Sequence, residues 1–215
     1  MRVLIVRPAP GNAATADAVA AMGLEPVVVP LFEVVPLTWK MPDPAGFDAV
    51  VMTSANAARL GGAGLAQFTQ LPLFAVGEAT GAAARGAGFA DVQVGDGDAA
   101  DLGPHLSGRI LHLTGSDHRL IPTDAKVTVV PVYESRPLAP CAPLSAGIVL
   151  IHSPRAGIRF AELKPDRADT HIIAISPAAA RACGTGWAAV HIAERPREHA
   201  MLECLARVCK AVSTN

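Results

Sequence analysis

Charged and aromatic side chains are scarce in this chain. Charged residues make up 17% and aromatic residues 4% of the 215 positions. The formal net charge is −1, and the lysines and arginines are dispersed without a basic block, so the electrostatic footprint of a duplex-binding protein is missing. We therefore expect no nucleic-acid partner. Apolar residues reach 51%, which is enough to build the core of one ordinary domain or two small ones.

Motifs for metals, disulfides and nucleotides are also missing. The 4 cysteines show no CxxC spacing and the 7 histidines no HExxH spacing. No GxGxxG follows a strand candidate, no GxxxxGK[ST] occurs, and the glycine-rich segments 61–64 and 95–98 are poor phosphate loops. We predict buried thiols in a reducing compartment, no metal and no cofactor.

Long apolar runs are absent as well. The first apolar run, Val3–Val6, is shorter than the roughly 7–15 residues of a signal peptide or the ~20 of a membrane span. We expect a cytoplasmic protein that does not bind a membrane.

A ten-residue segment occurs twice, at Val28–Leu37 and Val129–Leu138, with Val, Val, Pro, Glu, Pro and Leu shared. Proline cannot donate to a central ladder, so each copy is predicted to be a strand that runs to a sheet edge and leaves it. The repeat therefore predicts crossover linker strands at 28–37 and 129–138. They would join a discontinuous α/β domain, 1–35 with 138–215, to an inserted α/β domain, 38–129, beside a cleft.

Short apolar runs alternate with alanine-rich helical stretches, which is the pattern of βα units in a parallel sheet. The pattern predicts two five-stranded sheets. The strand candidates are Val3–Val6, Val27–Val34, Ala49–Thr53, Leu73–Val76, Val92–Val94, Ile110–Leu113, Val127–Tyr133, Ile148–His152, His171–Ile175 and Val190–Ala193. The helix candidates are Ala13–Met22, Ala55–Gln67, Ala79–Ala87, Ala100–Leu106, Asp117–Asp124, Arg155–Leu163, Ala178–Cys183 and Glu198–Cys209.

Small polar turns follow many of the predicted strands, where a helix is expected to begin. Hydroxyl groups at such turns cap free helix N–H groups. In an open α/β sheet, the same turns lie beyond the carboxyl ends of the strands, where ligands bind and helix dipoles attract anions. The turns are Arg7-Pro8, Thr53-Ser54-Ala55-Asn56, Gly77-Glu78-Ala79-Thr80, Thr114-Gly115-Ser116-Asp117, Ser153-Pro154-Arg155 and Ser176-Pro177-Ala178.

Several of these segments, taken in order, resemble the uroporphyrinogen-III synthase family, and the resemblance extends over essentially the whole chain. It implies two flavodoxin-like domains, each a doubly wound parallel sheet, joined by a two-stranded linker with one domain inserted in the other. The matching segments are Val3–Pro8, Thr53–Ala57, Phe74–Thr80, Val130–Glu134, His152–Pro154, Ile175–Pro177 and Ala193–Pro196.

The resemblance also implies an activity. The enzyme would cyclise hydroxymethylbilane, a linear tetrapyrrole with eight carboxylates, with loss of water and inversion of the terminal ring to give uroporphyrinogen III. No cofactor is needed. The resemblance implies a monomer, with transient contact to the preceding pathway enzyme as a possible partner interaction.

Site residues follow from the same resemblance. Tyr133 matches the tyrosine favoured as proton donor to the departing hydroxyl, although a packing role in the linker is equally open. Hydroxyl and glycine positions of the turns would bind substrate, namely Thr53, Ser54, Thr80, Thr114, Gly115, Ser153 and Ser176. Candidate carboxylate clamps are Arg7, Arg119, Arg136 and Arg155.

Two other functions stay open from the residues alone. A two-domain binding or sensor protein would share the double crossover and the cleft without chemistry, although such binders often carry an export signal. A nucleotide-sugar transferase of two α/β domains would normally need a longer chain and phosphate-binding motifs.

Overall fold

The computed structural model describes residues 1–96, 99–118, 120–145 and 147–212. Its strands and helices are, in chain order, β1 (Arg2–Ile5), α1 (Gly11–Ala21), β2 (Glu25–Val28), β3 (Phe32–Pro36), β4 (Ala49–Met52), α2 (Ala55–Leu60), β5 (Leu73–Ala75), α3 (Glu78–Gly86), β6 (Val92–Val94), α4 (Ala99–Leu102), β7 (Arg109–Gly115), β8 (Lys126–Pro137), β9 (Ile148–Ile151), α5 (Pro154–Leu163), β10 (His171–Ala174), α6 (Pro177–Ala182), β11 (Ala189–Ile192) and α7 (Glu198–Val212). The chain divides into two compact units: unit 1 is Met1–Glu33 with Pro137–Asn215, and unit 2 is Val34–Arg136.

Unit 1 is built on a sheet with the strand order β11-β10-β9-β1-β2. All of its strand pairs are parallel, with Val3 beside Ile148 and His171 beside the same Ile148. Strands β1, β9 and β10 are almost entirely apolar because both of their faces are covered. Helices α5 and α6 pack on one face around Phe160, and α1 and α7 pack on the other around Leu205.

Unit 2 contains most of a second sheet, whose strand order is β3-β8-β7-β4-β5-β6. The pairs β4–β5, β4–β7, β5–β6 and β7–β8 are parallel. Alanines of α2 and α3 allow these helices to lie close to one face of the sheet, around Phe68. The opposite face is covered by Leu102, Leu106 and Ile121. Strands β4 to β8 and the sheet of unit 1 are therefore parallel α/β layers, and β3 lies at the edge beside β8.

The predicted strand Val27–Val34 is wrong in one respect, because it is two strands and not one. Strand β2 ends at Val28 and belongs to the five-stranded sheet, whereas β3 begins at Phe32 and belongs to the six-stranded sheet. Pro30 lies between them and has no N–H to continue a ladder. In the described residues the sheets therefore have five and six strands, not five and five.

Of the predicted helices, Asp117–Asp124 and Ala55–Gln67 differ most from the structure. None of the described residues between Asp117 and Asp124 is helical, because the segment carries Pro122 and buries Ile121 in the core beneath β7. The helix predicted over Ala55–Gln67 stops at Leu60, since Gly62 takes a φ of +70° before a 3₁₀ segment, Ala63–Phe68. Among the described helices, none has the length and apolar character that crossing a bilayer requires.

Candidate functional site

The strand order brings the predicted site residues to one edge of each sheet. In unit 1, the turns after β10, β9 and β1 carry Ser176, Ser153 and Arg7, and these three strands are neighbours. In unit 2, the strands β8, β7, β4 and β5 are likewise consecutive in the sheet. The predicted residues after or near these strand ends include Tyr133, Thr114, Gly115, Thr53, Ser54 and Thr80. Each unit therefore has a polar edge at the carboxyl ends of its parallel strands.

Three of the predicted serines cap helices. The Ser54 hydroxyl accepts a hydrogen bond from the Asn56 N–H at 3.2 Å. Ser153 accepts from the Ala156 N–H at 3.1 Å, and Ser176 accepts from the Ala179 N–H at 3.3 Å. These bonds fix the turns and use one N–H of each helix, so the remaining free N–H groups of the first turns point beyond the strand ends.

Tyr133 lies against Gly115 at the end of β7. The register between β7 and β8 shifts between Thr114 and Gly115, so that Gly115 pairs with Tyr133. The Ser116 N–H donates to the Tyr133 carbonyl at 3.0 Å. A Cβ on Gly115 would lie 2.7 Å from the tyrosine ring and 3.0 Å from its hydroxyl, so only glycine permits this contact. The ring also packs against the core of unit 2 and is half-buried.

Thr53 forms a hydrogen bond with His112, a histidine to which the sequence motifs assigned no role. His112 lies in the middle of β7, is 1% exposed, and its Nε2 is 3.3 Å from the Thr53 hydroxyl oxygen. Burial, assisted by the nearby His118, lowers the pKa of His112 to about 4, so its imidazole is neutral at pH 7. Thr114, two residues along the same strand, is also buried. The apolar run of β7 could have indicated the burial of His112, since both faces of such a parallel strand are covered.

Thr80 is buried in the first turn of α3. Its backbone N–H donates to the Gly77 carbonyl at 3.0 Å, and Gly77 is the residue that precedes the helix. No side chain caps the start of α3 at Gly77, so Thr80 does not have the capping role that its position allowed.

Arg7 is held by an acidic residue from the last helix. Its Nη1 donates to Glu198 Oε2 at 2.8 Å and to the Thr15 hydroxyl at 3.2 Å. Thr15 also donates to Glu198 Oε1 at 2.6 Å, and His152 Nε2 lies 3.1 Å from Glu198 Oε2. The guanidinium lies over Gly11, where a Cβ would approach to 2.6 Å.

The surroundings of Glu198 keep it ionised. Burial acts to raise its pKa, but hydrogen bonds from His152 and Thr15 and the charge of Arg7 outweigh burial and lower the pKa to about 2. Sequence analysis missed Glu198 and His152 because their partners lie far away in the chain. The predicted clamp Arg7 is therefore part of a four-residue polar cluster.

The other candidate arginines have different surroundings. The Arg155 guanidinium lies 4.7 Å from the centre of the Phe32 ring, a cation–π geometry. Arg136 forms an exposed ion pair with Glu134 at 2.6 Å, which explains its position without a ligand. Arg119 lies outside the described residues.

Within the described ranges, no group of three or more His, Cys, Asp or Glu residues is arranged to hold a metal ion. The prediction of buried thiols is wrong for Cys141, which is exposed. Cys183 is buried beneath α5, and burial raises the pKa of its thiol to about 11.

Parallel strands with capped polar turns at their carboxyl ends are typical of open α/β proteins that bind ligands at this edge, and the chain has the features of this class. Comparison with known proteins then narrows this class. The family model described as "Uroporphyrinogen-III synthase HemD" matches residues 13–203. The chain belongs to the uroporphyrinogen-III synthase family. It is thus an enzyme of porphyrin biosynthesis, as its sequence motifs predicted.

Solved structures agree on the fold. A uroporphyrinogen-III synthetase from Helicobacter pylori 26695 has a TM-score of 0.65 and 20% identity, with 97% of this chain and 100% of that chain covered. A mutant uroporphyrinogen III synthase from the extremely thermophilic bacterium Thermus thermophilus has a TM-score of 0.56 and 16% identity, with 98% and 99% covered. A comparison with curated protein sequences finds no significant match.

Proposed function

We propose that the polar edges of both units bind hydroxymethylbilane and that Tyr133 assists the loss of water that starts its cyclisation. The family match over residues 13–203 supports this reaction. The contact between Tyr133 and Gly115 supports the assignment of Tyr133 as the proton donor. The terminal hydroxymethyl group takes up a proton and leaves as water, and the resulting carbocation is attacked by the substituted carbon of the far ring. In the spiro intermediate, the bond from that carbon to its original methylene bridge then breaks. The methylene cation so formed attacks the unsubstituted carbon of the same ring, and loss of a proton there restores the pyrrole and closes the macrocycle with that ring inverted.

Tyr133 suits the role of proton donor for three reasons. It is the only tyrosine of the chain, and its phenolic O–H is a hydrogen-bond donor. The residue is half-buried, so part of it stays accessible to solvent. The register shift at Gly115 fixes its position against β7.

Carboxylates of the substrate are bound mainly by main-chain N–H groups. The chain has a net charge of −1 and no basic block in its sequence, so it has no excess of positive charge with which to attract a polyanion. The first turns of the helices capped by Ser54, Ser153 and Ser176 offer such N–H groups. Arg7 and Arg155 add charge in unit 1, whereas Thr53, Thr80 and Thr114 add hydroxyl groups in unit 2.

The domain arrangement forms part of the same proposal. The two units are doubly wound parallel domains, of which unit 1 is flavodoxin-like, with 1–35 and 138–215 as the discontinuous one, 38–129 as the insert, and 28–37 and 129–138 as linker strands. In support, the strands of unit 1 taken in chain order have the flavodoxin sheet order 2-1-3-4-5. Strands β4 to β8 instead have the order 3-2-1-4-5, the other common doubly wound arrangement. The enzyme works as a cytoplasmic monomer, with transient contact to the enzyme that supplies the bilane.

An isomer assay tests the reaction. Freshly prepared hydroxymethylbilane is incubated with the protein, the products are oxidised, and type I and type III porphyrins are separated. Type III product above the uncatalysed background is expected. Type I product alone would refute the catalytic role and favour a protein that binds small molecules without chemistry.

Two variants test the assignment of Tyr133. Tyr133→Phe removes the proton donor but keeps the ring, and should slow type III formation by about 10- to 1,000-fold. Gly115→Ala should also slow it, because the new Cβ would displace the tyrosine ring from a distance of 2.7 Å. Gly46→Ala is the matched control, since nothing lies within 4 Å of its Cβ. An unchanged rate for Tyr133→Phe would assign the tyrosine to packing alone.

A further inference from the structure

Glu198 connects parts of unit 1 that are far apart in the sequence. It is the first residue of α7 and contacts Arg7 after β1, Thr15 in α1 and His152 after β9. These contacts span 191, 183 and 46 positions of the chain. One carboxylate therefore holds two helices and two strand ends at the polar edge of unit 1.

Both oxygens of this carboxylate are used. Oε1 accepts from the Thr15 hydroxyl at 2.6 Å, and Oε2 accepts from Arg7 at 2.8 Å and from His152 at 3.1 Å. The contacts are partly shielded from water, since the Thr15 residue is 0% and the His152 side chain 7% exposed. Charge-assisted bonds in such a setting fix geometry more firmly than an isolated surface ion pair does.

The contacts also determine which part of Arg7 remains for a ligand. Its Nη1 bonds to Glu198 and Thr15, which uses both N–H groups of that nitrogen. One face of the guanidinium lies over Gly11. The edge formed by Nε and Nη2 has no other hydrogen bond in the described part of the chain, and this edge matches the two oxygens of a carboxylate.

We infer that Glu198 is a positioning residue, which turns the Nε–Nη2 edge of Arg7 toward a substrate carboxylate. The inference rests on the proposed role of Arg7 in binding the bilane. Glu198 itself does not touch substrate, since its oxygens are occupied by Arg7, Thr15 and His152.

Two substitutions of Glu198 separate its geometry from its charge. In Glu198→Gln, the amide oxygen can accept from Arg7 and His152 while the amide N–H donates to the Thr15 hydroxyl, so the arrangement is retained. In Glu198→Ala, all three bonds are lost. The matched control is Glu203→Ala, further along α7, whose exposed carboxylate lies 3.5 Å from the exposed His199.

The kinetic expectation follows from the loss of charged hydrogen bonds. Glu198→Ala should raise KM for hydroxymethylbilane by about 10-fold with little change in kcat, because Arg7 binds substrate and takes no part in the bond changes. Glu198→Gln should restore KM to within about 3-fold of the unaltered chain, and Glu203→Ala should leave it unchanged. If Glu198→Ala does not fold, Thr15→Val replaces it, with an expected rise in KM of about 3-fold.

A double-mutant cycle with Arg7→Ala identifies the route of the effect. If Glu198 acts through Arg7, adding Glu198→Ala to Arg7→Ala should change KM by less than about 2-fold. If the fold-changes in KM of the two single variants instead multiply in the double variant, the inference is wrong. A lower melting temperature of Glu198→Ala with an unchanged KM would overturn it too, since both results describe a purely structural contact.

Equilibrium binding of uroporphyrin III, an octacarboxylate that cannot cyclise, repeats the comparison without turnover. If Glu198→Ala binds uroporphyrin III more weakly than the unaltered chain and Glu198→Gln binds it equally well, the positioning role is supported. This result would hold even if the unaltered chain made only type I product. Equal affinities of all variants would overturn it. Failure of the proposed reaction and failure of this inference are thus distinguishable.

Discussion

Acid should destabilise unit 2 through His112. The pKa of this histidine falls from an ordinary 6.5 to about 4 on folding, chiefly because the ring is buried and secondly because His118 is near. Its pKa is depressed in the folded state, so the unfolded chain takes up a proton between these two pH values and the folded chain does not. The contribution is fully present above pH 6.5 and declines as the pH falls toward 4.

The size of this loss follows from the shift. A shift from 6.5 to about 4 corresponds to about 3 kcal/mol at low pH, of which about 2 kcal/mol is already lost at pH 5. His112→Gln removes the titrating group but keeps an amide that can bond to Thr53. We therefore expect the variant to be less stable than the unaltered chain at pH 8, by about 1–2 kcal/mol, and the difference to vanish near pH 5.

The two tryptophans allow unit 2 to be followed separately. Trp39 lies in unit 2, where it donates to the Gly61 carbonyl at 3.0 Å, and Trp187 lies in unit 1. In a Trp187→Phe background, urea unfolding followed by Trp39 fluorescence at pH 8, 6.5 and 5 reports on the unit that contains His112. His105→Gln, an exposed substitution in the same unit, is the control. An equal stability difference between His112→Gln and the unaltered chain at pH 8 and pH 5 would refute the reasoning.

Two further predictions concern packing and thiol reactivity. Gly103→Ala should destabilise unit 2 by about 1–3 kcal/mol or more in the same urea experiment, because its Cβ would lie 1.9 Å from the Pro122 carbonyl oxygen; an unchanged midpoint would contradict this. Ellman's reagent at pH 7.5 should label the exposed Cys141 well before Cys183, whose pKa burial raises to about 11. Mass spectrometry of the labelled peptides checks the order, and equal rates would show that Cys183 is accessible.

The sequence predicted the parallel strands well because their signal is local. A buried parallel strand is an unbroken apolar run, and a serine before a helical stretch caps the helix, so Ser54, Ser153 and Ser176 were identified correctly as cap positions. The helix predicted over Asp117–Asp124 is wrong because its conformation depends on tertiary contacts and not on local pattern. Its polar residues fit a helical pattern, but Pro122 and the tertiary burial of Ile121 decide the outcome.

The polar cluster of unit 1 could not be predicted from local pattern. Glu198 reads as an ordinary acidic residue in the first turn of a helix, which helix dipoles favour in any protein. Its contacts with Arg7 and His152 depend on the positions of β1, β9 and α7, which only the folded sheet determines. The same holds for His112, whose neutrality results from burial and not from its neighbours in sequence.

The separation of Arg7 from Glu198 by 191 positions has a consequence for protein synthesis. Glu198 is synthesised 191 positions after Arg7. Nascent chains that end before α7 lack the carboxylate that holds Arg7, so this arrangement at the polar edge of unit 1 forms only after α7 has emerged.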